Sequence, residues 1–99
     1  MTRAIESDGA EESERQVTII NRLGLHARAA AKFVRTAESF KAEIFVRRGE
    51  TEVSGRSLMG LMMLAAGPGT SLMLSACGDD RTAALEALDG LIQRRFDEE

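Results

Sequence analysis

The chain has 99 residues, 43% hydrophobic and 29% charged, with a formal net charge of −3, one His, one Cys, four Phe and neither Trp nor Tyr. That is enough for one domain with a single modest core, in the composition of a soluble globular protein. Several classes are excluded: no stretch is apolar enough to span a bilayer, the lone Cys77 cannot form an intramolecular disulfide, and stacking platforms for nucleic-acid bases are missing.

Residues 1–13 carry Arg3 against Glu6, Asp8, Glu11 and Glu12, so they hold the whole net charge, and the remaining basic and acidic residues balance. With almost no apolar content and no period, 1–13 reads as a disordered acidic tail, and 14–99 as the folded domain. The polar N-terminus lacks the apolar core of a secretory signal, which points to a reducing cytoplasm. Gln16 to Ile20 reads as a strand with Val17 and Ile19 on one face, and Asn21 to Leu25 as a loop. A helix then runs from after His26 to near Ser39, with Ala30, Phe33, Val34 and Ala37 forming its buried stripe.

Ala42 to Arg47 alternates, Arg48-Gly49-Glu50 turns, and Thr51 to Ser54 returns, which makes a hairpin. Ser57 suits an N-cap for a short helix over Leu58 to Ala65, stopped by Gly67-Pro68-Gly69. Leu72 to Cys77 reads as a strand, with Cys77 expected as a small buried thiol. Arg81 to about Phe96 reads as a helix burying Ala84, Leu88, Leu91 and Ile92. The order βαββαβα predicts an α+β fold: a four-stranded, largely antiparallel sheet with three helices on one face and polar side chains on the other.

Gly24-Leu25-His26-Ala27-Arg28 sets an imidazole at the start of a helix, where free N–H groups and the dipole favour an anion. A nucleophilic side chain held there can carry a phosphoryl group, because the charge it acquires is already compensated. The plainer reading is a surface or capping histidine. Around it Arg22, Arg28, Lys32 and Arg35 meet no acid until Glu38, which suits a phosphate or an acidic partner, or simply a solvated helix face. One His and one Cys far apart in sequence give no metal site, and nothing calls for a cofactor.

Two motifs in this order and spacing carry a resemblance over about Arg15 to Phe96: Gly24-Leu25-His26-Ala27-Arg28 and Arg56-Ser57-Leu58-Met59-Gly60-Leu61-Met62. The chain resembles the HPr family, histidine-containing phosphocarriers of the bacterial phosphoenolpyruvate:sugar phosphotransferase system and their nitrogen-branch relatives. The resemblance implies the HPr-like open-faced β-sandwich. It implies that His26 accepts a phosphoryl group from enzyme I and passes it to an enzyme IIA-type acceptor, that Arg28 stabilises that group, and that the ring's δ nitrogen is the acceptor. It also implies that Ser57 corresponds to the serine which a dedicated kinase, opposed by a phosphorylase, modifies in some members. The family's usual proline after His-Ala-Arg is Ala29 here, so a slightly less rigid site is expected.

The short helix is too apolar to bury every face. Leu61 and Leu64 are expected in the core, with Leu58, Met59 and Met62 partly in solvent. Together with Ala27 they form a partner-docking patch, with Arg28, Lys32 and Arg35 as its basic rim. The reading is a carrier rather than an independent enzyme, monomeric, with no nucleic-acid partner and no membrane insertion. The alternative is a regulatory binding module whose docking phosphorylation switches.

Overall fold

The computed structural model describes residues 11–98. Their elements are β1 (Glu12–Thr18), α1 (Ala27–Glu38), β2 (Glu43–Arg48), β3 (Thr51–Ser54), α2 (Leu58–Met63), β4 (Ser71–Cys77) and α3 (Arg81–Gln93), followed by a 3-10 turn at Arg95–Asp97. The four strands form one sheet in the order β1-β4-β2-β3, and every pairing is antiparallel. Alternation decides the faces. Ile44 and Val46 of β2 and Leu72, Leu74 and Ala76 of β4 point inward and are buried. The helices answer with Ala30, Phe33 and Ala37 from α1, Leu61 from α2, and Ala84, Leu85, Leu88, Leu91 and Ile92 from α3. Each large side chain among these stabilises the fold by about 1.5–3 kcal/mol on burial.

Four expectations are corrected. β1 starts at Glu12, inside the segment read as a tail, because β4 offers a partner for every residue from Glu12, opposite Cys77, to Thr18, opposite Ser71. Ladder pairing, which hydrophobic patterning does not register, extends the strand through polar residues. Residues 1–10 of that segment lie outside the described residues. α2 stops at Met63: Ala65 takes a left-handed φ of 51°, and Arg48 donates to the carbonyls of Leu64 and Ala65, both at 2.8 Å. Cys77 is half-buried, since its place in β4 puts it on the outer face. α3 ends at Gln93 rather than near Phe96. Arg95, Phe96 and Asp97 adopt left-handed φ values of 55–58°, and this turn tucks Phe96 into the core.

Candidate functional site

His26 is the N-cap of α1. Its backbone is extended, its carbonyl accepts the first helical hydrogen bond from the Ala30 N–H at 2.8 Å, and its Nδ1 accepts from the Arg28 N–H at 3.2 Å. An imidazole caps here because the preceding loop is fixed. Gly24 takes a φ of 69°, and the Leu25 N–H bonds the Ala66 carbonyl at 2.8 Å. Buried Leu25 and Ala29 pin the backbone on either side of the cap. Ala29 therefore holds its place by packing, without the ring of a proline.

The other ring nitrogen, Nε2, lies 3.3 Å from Oε2 of Glu98. A neutral imidazole whose Nδ1 accepts from a backbone N–H carries its proton on Nε2, and here that proton is directed at a carboxylate. Glu98 is itself held, by Asn21 Nδ2 at 3.2 Å and by the Leu23 N–H at 3.3 Å. Burial alone would raise its carboxyl. The hydrogen bonds from Asn21, the Leu23 N–H, His26 and the Arg22 N–H outweigh that and hold it below the usual glutamate value. Lys32 donates to the Phe96 carbonyl at 2.8 Å and ties the C-terminal turn to α1.

The result is an open groove of about 360 Å³ walled by His26, Arg28, Ala29 and Lys32 on one side and by Phe96 and Glu98 on the other. The imidazole side chain is 30% exposed, so the ring is open to solvent from the groove. The structure brings His26, Arg28 and Lys32 together along one groove, and Arg28 is an exposed residue. Arg35 stands apart, beside Leu58, Val34 and Glu38 in a second, shallower depression. Ala27 is exposed at the first turn. Ser57 caps α2, its Oγ accepting from the Gly60 N–H at 3.0 Å. On α2, Leu61 is fully buried, whereas Leu58, Met59 and Met62 are 43%, 73% and 42% exposed, and Met63 joins them at 75%. The amine of Lys32, expected on a basic rim, is committed to the C-terminal turn. Sequence reasoning did not find Glu98 or Asn21. Glu98 sits in a short acidic C-terminal run with no periodicity, and only the fold's topology brings it to the imidazole.

The family model described as "PTS HPr component phosphorylation site" matches residues 13–94. This chain belongs to the HPr family. Among curated relatives it is 54% identical to the phosphocarrier protein HPr of Pseudomonas aeruginosa, covering 84% of this chain and 93% of that one. It is 49% identical to the phosphocarrier protein NPr of Shewanella violacea, covering 86% and 93%. Among solved structures, HPr-C-His from Thermoanaerobacter tengcongensis superposes with a TM-score of 0.84 at 44% identity, covering 88% of this chain and 98% of that one. As a member of the HPr family the chain is a phosphocarrier, which holds a phosphoryl group between other proteins of the phosphotransferase system and is not an independent enzyme. No helix among the described residues is long and apolar enough to cross a membrane.

Proposed function

We propose that Nδ1 of His26 accepts a phosphoryl group from phosphorylated enzyme I and hands it to an enzyme IIA-type acceptor. The observation that carries this reading is the hydrogen bond from the Arg28 N–H to Nδ1. It leaves the Nδ1 lone pair at the start of α1 and the ring proton on Nε2. Attack on phosphorus then requires no prior loss of a proton. As the N–P bond forms, the Arg28 N–H exchanges the nitrogen for a phosphoryl oxygen, and the guanidinium of Arg28 adds a charge-assisted contact. The helix dipole contributes about 0.3–1 kcal/mol at such an exposed position. That is enough to steady the anion without trapping it, as a carrier requires.

Docking falls to the exposed Leu58, Met59 and Met62 of α2, with Arg35 beside Leu58 and with Ala27 and Arg28 exposed at the start of α1. Flexible thioethers adapt to more than one partner surface. A phosphate on Ser57, added by a serine kinase, sets negative charge beside this apolar patch and weakens docking without altering the fold. Ser57→Asp is expected to slow transfer while leaving α2 folded. Unchanged transfer rates remove the regulatory role.

The test is intact mass after incubation with phosphoenolpyruvate and enzyme I, with His26→Ala as control. One acid-labile phosphate on the wild type and none on the control is the expected result, and added enzyme IIA proteins then identify the acceptor. Phosphate retained by His26→Ala overturns the assignment.

A further inference from the structure

We propose that α2 carries a reversible oxidation site: a peroxide converts the thioethers of Met59, Met62 and Met63 to sulfoxides, which weakens docking to enzyme I while His26 stays able to take the phosphoryl group. The inference rests on the reading of α2 as the docking face. Met59 and Met63, at 73% and 75%, are the most exposed large hydrophobic side chains among the described residues, and Met62 is 42% exposed. Their spacing of i, i+3 and i+4 sets the three side chains on one side of the helix.

The rotation of α2 is fixed from beneath. Leu61 and Leu64 are buried, and Gly60 lies so close to β3 that a Cβ there would stand 3.0 Å from the Val53 Cβ. The ends are tied as well, by the Ser57 Oγ at the Gly60 N–H and by Arg48 at the carbonyls of Leu64 and Ala65. None of these contacts uses a thioether. A change at sulfur therefore leaves the helix in place and alters only what it presents to a partner. Met73 supplies an internal comparison. It is half-buried on the outer face of the sheet, paired with Gln16 of β1 and Arg47 of β2, away from the helices.

In the oxidation a sulfur lone pair attacks one peroxide oxygen. The S–O bond forms as the O–O bond breaks, and the other oxygen leaves as water with both protons. Sulfur gives up two electrons and the peroxide takes them. The product carries a polar S–O group that accepts hydrogen bonds, where the thioether was apolar and flexible. Closing a dry interface over that group strips water from an acceptor without supplying a donor. A methionine sulfoxide reductase reverses the step: a pair of thiols becomes a disulfide, its two electrons return to sulfur, and the oxygen leaves as water. The imidazole takes no part in either direction. The oxidised carrier thus differs in how it meets its partner and not in how it bonds phosphorus.

The full-length protein is treated with hydrogen peroxide, freed of it by catalase, and mapped by peptide mass spectrometry. Met59 and Met63 are expected to gain oxygen first, Met62 next and Met73 later. Charging by enzyme I and phosphoenolpyruvate is then followed against carrier concentration. The KM for the oxidised carrier is expected to rise by about tenfold with kcat unchanged, and reductase treatment to restore it. Far-UV circular dichroism is expected to be the same before and after oxidation. In a variant combining Met59→Leu, Met62→Leu and Met63→Leu, which keeps apolar side chains of similar volume, peroxide is expected to leave KM at the variant's own starting value. Four results overturn the proposal: Met73 oxidised ahead of α2, an oxidised wild type that loses its helical signal, one whose KM does not move, or a triple variant as sensitive as the wild type. The last would trace the effect to Met1, Met73 or Cys77. If the untreated protein takes no phosphate on His26, the carrier reading itself fails and this inference with it. An untreated carrier that charges normally, beside an oxidised one that charges equally well, refutes the oxidation site alone.

Discussion

Gly24 offers a graded test of how the site is held. A Cβ added there would lie 2.5 Å from the Ala66 carbonyl oxygen and 2.9 Å from the Gly67 Cα, both backbone atoms, at a φ of +69°. The left-handed conformation costs a non-glycine residue about 1–2 kcal/mol. Relieving a backbone clash adds about 1–3 kcal/mol. Gly24→Ala is therefore expected to destabilise by about 3 kcal/mol, a fall in Tm of about 12–24 °C for a domain of this size. Two other glycines separate the terms. Gly49 has a φ of +60° but nothing near its Cβ, so Gly49→Ala is expected to cost only about 1 kcal/mol. Gly67 has neither problem, and Gly67→Ala is expected to be neutral or to stabilise by up to about 1 kcal/mol through the unfolded chain. Urea denaturation followed by far-UV circular dichroism suits a chain without Trp or Tyr. If Gly24→Ala costs no more than Gly49→Ala, the close approach to Ala66 is not what holds the loop. Because the same loop carries the Leu25 to Ala66 hydrogen bond, the Gly24 variant is also expected to accept phosphate more slowly.

Ser57→Ala removes the acceptor for the Gly60 N–H and is expected to cost about 1 kcal/mol in the same denaturation assay; a change below about 0.3 kcal/mol shows that α2 does not depend on its cap. Acid has a signed effect. Glu98 is held below its ordinary value of 4.5 as described. Asp80 is held below 3.8, first by the Lys41 N–H, with burial opposing, then by the N–H groups of Ala42 and of Asp80 itself and by the charge of Lys41. The folded state binds these protons less readily than the unfolded one. The stability they contribute is complete above the ordinary values and is lost as pH falls through the lowered ones. The urea midpoint is expected to drop from about pH 5 to about pH 3, by less in the Asp80→Asn variant. An equal drop in that variant refutes the assignment to Asp80.

Much of the fold was readable because burial imposes a period. Phe33 and Ala37 in α1, Ile44 and Val46 in β2, and Leu72, Leu74 and Ala76 in β4 are buried as their spacing requires. The Ser57 cap was readable because short hydroxyl side chains suit that position. The polar start of β1 was not, since its partner strand is far along the chain. The end of α3 was not, because nothing local marks three successive left-handed residues. Half of the candidate site shares that difficulty. His26 and Arg28 belong to one local motif, whereas Asn21 and Glu98 acquire meaning only through a contact closed by the whole domain.

The distance in sequence between the site's two halves has a consequence for how the carrier is made. Leu23 and Glu98, which meet beside the imidazole, are 75 residues apart, and the first strand finds its neighbour only when β4 has emerged. Contacts of such long sequence separation form late in folding. A nascent chain that has finished α3 already contains every α-helix and strand of the described residues, yet it still lacks the turn that brings Glu98 to His26. That contact therefore closes only after the residues beyond α3 have been made, and a chain interrupted or clipped before Glu98 lacks the carboxylate beside the ring.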